Sequence, residues 1–379
     1  MSTHTAVAAP IPDDRCVHTL VLGGGMAGLT VAYRLMRAGL SVALLEAHPS
    51  HIGGQIRSIQ HRQDGSWIDL GPNSLRGSGL AAWRLVSELG LTLSRVESVN
   101  TARRRYIVDP MTHEPRAITP LGLLRTPLLS RSARRALWRE PFRRANHRWN
   151  EPHHDESVGH AFERRVGREI VDRLIAPVLG GIYAGDVDRM SMRACLPRLV
   201  EWEQRGGSFL AGALMSTWFG RDRSRFASMH NPFGFGVRGS SRGRATPRLP
   251  AELRGRVVTF RRGMAELPLA LADALGARVF RGRRALTLQR LHDSEQQHGS
   301  TCRFAVATTG AGEASSRPEW WRACQVIVAT PARQASQLLA TLAPAVAAEL
   351  RQISYVSMAT VALTYRQDDV ARPLGGFGV

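Results

Sequence analysis

The clearest indication of the fold lies in residues 17–46, which read VHTLVLGGGMAGLTVAYRLMRAGLSVALLE. Residues 17–23 form a short apolar run that ends in glycine, which is typical of a buried parallel strand. Residues 26–38 carry apolar side chains at helical spacing, and Gly39 follows as a helix-ending glycine. Residues 41–46 form a second apolar run. The order of strand, glycine loop, helix and strand predicts a βαβ unit.

The glycine loop between the first strand and the helix has the pattern G-x-G-x-x-G from Gly23 to Gly28. In such a loop the first glycine permits the tight turn and the second, Gly25, lets the backbone approach a pyrophosphate. The third lets the helix pack closely on the sheet, and the helix N-terminus offers N–H groups to the phosphates. Glu46 ends the second strand 18 residues beyond Gly28, where an acid can bind ribose hydroxyls. These features together predict a dinucleotide site rather than a glycine-rich packing turn.

A second cluster of glycines indicates which dinucleotide is bound. Gly53 and Gly54 follow shortly after Glu46, and residues 69–73 then read DLGPN. A plain NAD-binding domain has no need of a second glycine pair at this point. A flavin does, because its ring system extends beyond the pyrophosphate and the backbone must pass close to it. The spacing therefore favours FAD.

The composition limits the classes of function. The chain has 379 residues, of which 43% are hydrophobic and 22% charged, and this globular composition excludes a disordered tail, a collagen or a coiled coil. No stretch approaches the roughly 20 apolar residues that a membrane-spanning helix needs. Cys16, Cys195, Cys302 and Cys324 are far apart in the sequence. Their spacing argues against a zinc site or a disulfide framework and favours reduced thiols in the cytoplasm.

The net charge of +20 rests on arginine alone, because the chain contains no lysine. Eight arginines and one glutamate lie within residues 124–148, interleaved with apolar side chains. One interpretation is a solvated helix face. The other is a surface that lies peripherally on anionic lipid and inserts apolar side chains, namely Leu128, Leu129, Trp138 and Phe142. A nucleic-acid partner is ranked last.

Other local patterns give smaller predictions. Asp155 or Ser157 is expected to cap a helix, and Asp186 and Asp188 are expected to fix a turn. The Trp320-Trp321 pair is expected in a loop beside a strand that starts at Gln325. Further strands are predicted at residues 257–260, 301–308 and 356–365, and surface positions rather than metal-binding roles are expected for His153, His154 and His160.

Several segments resemble, in the same order, the flavin-containing amine oxidase superfamily and, within it, the protoporphyrinogen oxidases. They are LVLGGGMAGL, GGQIRS, LGPNSLR, VSELGL, FRRGMAELPLAL, VIVATPA, the terminal GGFGV and, most specifically, GGIYAGDVDRMSMR at residues 180–193. The resemblance implies an α/β fold in which a Rossmann-like FAD-binding domain is interleaved with a substrate domain and a helical, membrane-facing region. The implied division is an FAD domain at 1–75 and 255–345, a substrate part at 76–109 and 346–379, a helical region at 110–225 and a linker at 226–254.

The resemblance also implies the site residues. The positions that correspond to FAD contacts are Gly23, Gly24, Gly25, Met26, Ala27, Gly28, Glu46, Ala47, Gln55, Gly71, Pro72, Asn73, Ser74 and Ala285. Arg105 falls where the family pairs an arginine with a substrate propionate. Phe377 falls on a strand whose aromatic ring lines the tetrapyrrole pocket. No catalytic base and no metal ligand is assigned.

The activity that the resemblance implies is the oxidation of protoporphyrinogen IX to protoporphyrin IX in heme biosynthesis, with dioxygen as acceptor and peroxide as product. Two alternatives stay open: oxidation of coproporphyrinogen III to coproporphyrin III, and an inactive truncated flavoprotein. Members of the family continue beyond the Gly-Phe-Gly strand, so we expect weak FAD retention and little activity from residues 1–379 alone. A cytoplasmic location, with or without peripheral membrane attachment, is expected, and the oligomeric state is left open.

Overall fold

The structure is a computed structural model that describes residues 15–76, 80–97, 105–109, 112–118, 126, 128–151, 153–209, 211, 257–291, 302–310 and 318–370. The chain divides into two compact units. The first comprises Met1–Ser98 with Pro247–Thr364, and the second comprises Val99–Thr246 with Tyr365–Val379. The finer division into FAD, substrate, helical and linker parts stays a prediction.

The described strands and helices follow in chain order. The strands are β1 Cys16–Leu22, β2 Val42–Glu46, β3 Ser58–Gln60, β4 Trp67–Asp69, β5 Leu75–Arg76, β6 Arg95–Glu97, β7 Arg105–Val108, β8 Pro115–Ile118, β9 Val257–Phe260, β10 Val279–Arg281, β11 Arg283–Arg290, β12 Phe304–Gly310 and β13 Glu319–Val328. The α-helices are α1 Met26–Arg37, α2 Leu80–Glu88, α3 Arg131–Arg139, α4 Val158–Val166, α5 Arg168–Ile170, α6 Ala176–Tyr183, α7 Met192–Cys195, α8 Pro197–Gly206, α9 Glu266–Leu275, α10 Ala332–Leu339 and α11 Pro344–Gln352.

The first unit is built on a six-stranded mixed sheet in the order β10-β2-β1-β13-β12-β11. β10, β2, β1 and β13 run parallel, and β12 and β11 return antiparallel from β13. The register places Leu22 beside both Leu45 and Val328, so three parallel strands end at the same edge. This parallel-centred α/β sheet confirms the predicted fold class.

Alternating side chains of the central strands cover both faces of this sheet. On one face, Val21 and Leu44 pack against helices α1 and α9. On the other face, Leu20 and Leu45 pack with Trp321 and with side chains of β11 and β12. Full burial of a side chain of this size contributes about 1.5–3 kcal/mol. Both faces therefore stabilise the edge from which the glycine loop emerges.

Helix α1 ends as its sequence predicts. Gly39 has φ of +81°, which a glycine adopts readily. The N–H of Gly39 donates to the carbonyl of Met36 at 2.9 Å, and that of Leu40 donates to the carbonyl of Leu35 at 3.1 Å. This pair of bonds is a Schellman closure, and it turns the chain sharply from the helix into β2.

The second unit is mainly helical. Its core includes the fully buried Trp149, Val158, Val171 and Met192. Ser157 caps α4, since its hydroxyl accepts the N–H of His160 at 3.1 Å, which selects one of the two predicted capping residues. A π-helical segment, Val171–Ile175, joins α5 to α6. Within the described residues, no helix of either unit is both long and apolar enough to cross a bilayer.

Two predicted elements differ from the structure. Trp320 and Trp321 lie inside β13, which begins at Glu319, and not in a loop before it. The predicted loop is wrong because Trp320 and Trp321 pair with Ala307 and Val306 of β12, and Trp321 is buried in the sheet core. Residues 356–365, predicted as a strand, are exposed and, within the described part of the chain, form no strand and pair with none.

Candidate functional site

The glycine loop lies at the carboxyl edge of the parallel strands. The N–H of Gly23 donates to the carbonyl of Leu45 at 2.8 Å, and the N–H of Ala329 donates to the carbonyl of Leu22 at 2.8 Å. These bonds join the ends of β1, β2 and β13. Gly23 turns the chain there with φ of +109°. Ligands of open parallel sheets bind outside this edge, so the fold places the loop where a dinucleotide is expected.

The glycines of the loop have different surroundings. A Cβ atom on Gly28 would lie 2.0 Å from the carbonyl oxygen of Gly23, which is backbone and cannot move aside. A Cβ atom on Gly25 would meet only the Cα of Gly54, at 3.9 Å, so this position faces open space. Gly28 is therefore required by the packing of α1, whereas Gly25 leaves a space that a ligand can use.

The start of α1 has no side-chain cap. Gly25 is its N-cap residue and provides no side-chain hydrogen bond to the first turn. The first N–H groups of a helix have no partner within the helix, and the helix dipole makes this end attractive to anions. Met26 and Ala27 form that first turn, beside the space at Gly25. An uncapped helix start beside an open glycine is the arrangement that binds a pyrophosphate.

Glu46 is held against the glycine loop by two hydrogen bonds. Its Oε2 accepts the N–H of Gly24 at 2.7 Å, and its Oε1 accepts the N–H of His48 at 2.7 Å. A Cβ atom on Gly24 would lie 2.8 Å from Oε2, so a side chain at this position would displace the carboxylate. Glu46 is thus the last residue of β2, and its partly buried carboxylate lies against the glycine loop. Hydroxyl groups of a ribose can reach it there.

The second glycine cluster pairs directly with the first. Gly25 and Gly53 form a parallel bridge, and the N–H of Gly53 donates to the carbonyl of Gly24 at 2.8 Å. Gly53 and Gly54 both have positive φ, of +113° and +62°. His51 Nε2 lies 2.9 Å from the carbonyl oxygen of Gly54, which anchors this turn. The role of His51 is not predictable from the sequence, because no local pattern connects this residue to the glycines.

The segment around Gly71 packs against the residues that follow the second cluster. A Cβ atom on Gly71 would lie 2.1 Å from the carbonyl oxygen of Gln55, so the two backbones are in close contact. Pro72 and Asn73 are exposed, and the Ser74 hydroxyl donates to Oδ1 of Asn73 at 3.0 Å. The structure therefore brings Gln55 and residues 71–74 next to one another at the surface.

Asp69 and Ser58 tie these surface segments to the start of α9. The Ser58 hydroxyl donates to Oδ1 of Asp69 at 2.5 Å, and the same oxygen accepts the N–H of Met264 at 2.9 Å. The Ser58 oxygen accepts the N–H of Ala265 at 3.0 Å. The motifs that contain Ser58 and Asp69 do not predict this role for their side chains. Their side chains join regions that are about 200 residues apart in sequence.

Ala285 lies in β11, three residues beyond the turn that follows β10. Arg281 of β10 pairs with Glu46, and the N–H of Gly282 donates to the carbonyl of His48 at 3.3 Å. The β10–β11 turn therefore lies against the residues that follow Glu46, including the half-buried Ala47. The β11–β12 register is irregular just after Ala285. The roles of Ala47 and Ala285 in FAD binding stay predictions.

Of the two residues predicted to bind substrate, Arg105 and Phe377, the structure describes only the position of Arg105. Arg105 begins β7 in the second unit and pairs with Ile118 of β8. Phe377 lies outside the described residues. Their roles in substrate binding stay predictions.

A cluster of titratable residues formed by Asp186, Asp188 and Arg168 has a structural role. Asp186 Oδ1 accepts the N–H of Asp188 at 3.0 Å, which confirms that this pair fixes a turn. Asp188 makes two hydrogen bonds of 2.9 Å with the guanidinium of Arg168, and these bonds hold the pKa of the Asp188 carboxyl below its usual value.

Among the described residues, no three His, Cys, Asp or Glu side chains are grouped in a way that could hold a metal ion.

The arginine-rich stretch is partly exposed and partly core. Trp138 and Phe142 are 64% and 87% exposed. Leu128 and Leu129 are only 5% and 1% exposed, since they pack with Ile170 and its neighbours in the core of the second unit. The expectation that these two leucines enter lipid is therefore wrong, while Trp138 and Phe142 remain available for such a contact.

Comparison with known proteins defines the class. Residues 26–375 match the family described as flavin containing amine oxidoreductase, and the chain belongs to this family. Its cofactor is FAD, as the two glycine clusters predict. A solved structure from Exiguobacterium sp. 255-15, provisionally named a protoporphyrinogen oxidase, superposes with a TM-score of 0.62. The superposition covers 90% of this chain and 64% of the Exiguobacterium chain, and the aligned residues are 24% identical. At this identity the likeness supports the fold alone.

Particular relatives are porphyrinogen oxidases, which confirms the resemblance found in the sequence. The chain is 28% identical to protoporphyrinogen oxidase 2, chloroplastic/mitochondrial, of Arabidopsis thaliana over 364 residues, which are 95% of this chain and 66% of that protein. It is 32% identical to the protoporphyrinogen oxidase of Homo sapiens over 374 residues, 95% of this chain and 69% of that protein. A coproporphyrinogen III oxidase of Bacillus subtilis (strain 168) is 32% identical over 211 residues, 52% of this chain and 43% of that protein. The chain thus spans about two thirds of the two relatives that it matches nearly throughout.

Proposed function

We propose that this protein oxidises protoporphyrinogen IX to protoporphyrin IX in an FAD-dependent reaction. The observation that carries the proposal is the open space at Gly25, which lies between the uncapped start of α1, the carboxylate of Glu46 and the turn at Gly54. The names of two relatives that align with 95% of this chain support the choice of substrate.

The residues at this edge fit a dinucleotide. Gly23–Gly28 and the first turn of α1 would hold the pyrophosphate through backbone N–H groups. Glu46 would accept ribose hydroxyls, exchanging its bond to the N–H of Gly24 for bonds to the ligand. Gln55 and residues 71–74 would lie along the ring system, because they form the surface that continues from the second glycine cluster.

The chain's own residues would bind and orient the substrate. When bound, FAD supplies the acceptor for hydride from the methylene bridge of the porphyrinogen and passes the electrons to dioxygen, with peroxide as the product. Arg105 would bind a propionate through paired hydrogen bonds, and Phe377 would contact the apolar face of the tetrapyrrole. No side chain is assigned as a catalytic base, since placing the bridge carbon correctly can lower much of the barrier.

Coproporphyrinogen III is the second candidate substrate. The observation in its favour is the 32% identity to a coproporphyrinogen III oxidase of Bacillus subtilis over 211 residues. The two substrates differ in the number of carboxylates, so the basic residues that face the substrate would distinguish them.

The test is an aerobic assay of the protein with added FAD and either porphyrinogen, read as the appearance of porphyrin fluorescence. We expect protoporphyrinogen IX to be oxidised faster than coproporphyrinogen III. We also expect Gly25→Ala to lower the enzyme-dependent rate when FAD is limiting, because this variant should bind FAD more weakly. The reverse preference would select the second candidate. FAD binding without oxidation of either substrate would support the inactive flavoprotein.

A further inference from the structure

Two cysteines that are distant in the sequence lie side by side in the first unit. Cys16 begins β1, and Cys302 precedes β12 by two residues. Their sulfur atoms are 2.6 Å apart, although 286 residues separate them in the chain. Neither is joined in a disulfide in this structure. The spacing of the cysteines along the chain does not indicate this pair, because the fold of β1 and β12 around β13 creates it.

The backbone on both sides of the pair is fixed by β13. Cys16 pairs with Arg322 in the parallel β1–β13 ladder. On the other side of β13, the N–H of Arg303 donates to the carbonyl of Ala323 at 2.9 Å, and Phe304 pairs with Ala323. Both residues are therefore anchored through their backbones to β13, and their sulfur atoms already lie 2.6 Å apart.

The two thiols differ in accessibility. Cys16 is exposed, while Cys302 is buried. An accessible thiol can meet an oxidant from solvent, and a second thiol within reach is typical of pairs that form disulfides.

We propose that Cys16 and Cys302 form an oxidation site that takes a peroxide and closes to a disulfide across the sheet. In the first step the Cys16 sulfur attacks hydrogen peroxide. An S–O bond forms, the O–O bond breaks, and water leaves with the thiol proton. In the second step the Cys302 sulfur attacks the sulfenic sulfur. The S–S bond forms, the S–O bond breaks, and a second water leaves, so that two thiols and one peroxide give one disulfide and two waters.

The disulfide would link β1 to the segment before β12 and hold both against β13. The disulfide would close a very long loop, which restricts the unfolded chain. Added peroxide is sufficient for the reaction, so this inference does not depend on the proposed function.

The experiment treats the reduced full chain with stoichiometric hydrogen peroxide, blocks remaining thiols with N-ethylmaleimide under denaturing conditions, and maps tryptic peptides without reduction. Cleavage after Arg15, Arg34, Arg290 and Arg303 gives peptides 16–34 and 291–303. We expect these two peptides to appear joined, to separate on treatment with dithiothreitol, and to be absent in Cys16→Ser and Cys302→Ser. The number of alkylated thiols should fall from four to two.

Cys195 is the internal control. Burial, with a further contribution from Asp155, raises the pKa of its thiol, which slows its reaction with peroxide. We expect the Cys16–Cys302 peptide to form at least ~10-fold faster than Cys195 is modified, and to form normally in Cys195→Ser and Cys324→Ser. Equal modification of all four thiols, or over-oxidised Cys16 beside unmodified Cys302, would overturn the proposal. Since the peptide map is made on the unaltered chain, the test does not require the serine variants to fold.

Discussion

Two glycines of the same loop, Gly25 and Gly28, have separable roles. Because a Cβ atom at Gly25 meets nothing closer than 3.9 Å and the residue has φ of −73°, Gly25→Ala should fold normally. Gly28→Ala forces a Cβ atom to 2.0 Å from a backbone oxygen and should lower the free energy of unfolding by about 1–3 kcal/mol. Both variants should lose at least ~10-fold in FAD affinity, equivalent to about 1.4 kcal/mol.

Thermal unfolding followed by circular dichroism, together with a flavin fluorescence titration, separates these effects. Gly39→Ala is a useful comparison, because its positive φ makes the substitution unfavourable although its Cβ atom would have open space away from the loop. A fall in stability for Gly25→Ala equal to that for Gly28→Ala would contradict the assignment of Gly25 to ligand binding.

Glu46 gives a second prediction at the level of the residue. Glu46→Gln removes the negative charge and one of the two acceptors that now bind the N–H groups of Gly24 and His48. Hydrogen bonds to charged groups contribute about 1.5–3 kcal/mol, so FAD affinity should fall by about 10- to 100-fold. Isothermal titration with FAD measures this change. Glu349→Gln, at an exposed position of α11, changes the charge equally and should leave the affinity unaltered.

At the level of the element, the helices of the second unit are joined by a buried ionic network. Arg165 in α4 is fully buried, and its Nε donates to Oε1 of Glu140 at 2.8 Å. Its Nη1 donates to the carbonyls of Arg143 and Arg144, and to Glu203 of α8 at 3.4 Å. Removing one member of such a network leaves a buried charge without compensation.

We therefore predict that Arg165→Ala lowers the free energy of unfolding by about 3–5 kcal/mol. Arg168→Ala is the matched control, since Arg168 also binds a carboxylate, Asp188, but its side chain is 46% exposed. An exposed pair of this kind contributes about 0–1 kcal/mol. Urea denaturation of both variants measures the difference, and equal losses would show that burial of the network is irrelevant to stability.

Glu203 makes the stability of the same network depend on pH. Burial alone raises the pKa of a carboxyl, but hydrogen bonds from Arg164, Trp149 and the backbone of Asn146 outweigh it, so the pKa of Glu203 is lowered. The folded state therefore binds this proton less readily than the unfolded state does. The stabilisation is complete above the unfolded pKa of about 4.3 and is lost as the pH falls through the lower, folded pKa.

Urea unfolding measured at several pH values below about 5 tests this sign. The unaltered protein should lose stability with falling pH more steeply than Glu203→Gln, which has no carboxyl to protonate at this position. Parallel curves for the two proteins would mean that other carboxyls account for the acid sensitivity.

The elements that the sequence predicts well are those whose signals are local. The unit from β1 to β2 is predicted by signals within one continuous stretch, which are the apolar run, Gly23, Gly39 and Glu46. Strand β13 was predicted too short, because the pairing of Trp321 with β12 depends on a distant segment. Residues 356–365 alternate as a strand does, yet a strand needs a hydrogen-bonding partner, and the local pattern does not supply one.

Contacts that form only in the folded chain are also what the sequence cannot predict for the whole molecule and its candidate site. Gly25 and Glu46 could be found from a motif, since their spacing follows from the βαβ geometry. The contact of His51 with Gly54 and that of Cys16 with Cys302 could not, because each depends on where the folded chain brings its side chain. The Arg165–Glu140 pair is not predictable for the same reason, because Arg165 lies outside the arginine-rich stretch and meets Glu140 only in the folded chain.

At the scale of the whole molecule, the net charge of +20 and the exposed aromatic residues of one surface lead to a last prediction. Trp138 and Phe142 are 64% and 87% exposed beside the exposed Arg131, Arg135 and Arg139. Arginines draw a protein to anionic lipid through a salt-sensitive attraction, whereas inserted aromatic rings add a contribution that salt does not screen. We propose that this surface binds anionic membranes by both means.

In sedimentation with phosphatidylglycerol vesicles, Trp138→Ala/Phe142→Ala should weaken binding by at least ~10-fold at both low and high salt. The triple variant Arg131→Gln/Arg135→Gln/Arg139→Gln should weaken binding mainly at low salt, because the charge attraction is already screened at high salt. Leu93→Ala, which removes an 88% exposed apolar side chain from the first unit, should have no effect. If the aromatic variant binds as the unaltered protein does, the arginines of α3 form only a solvated helix face, and the attraction to vesicles arises from the charge of the chain as a whole.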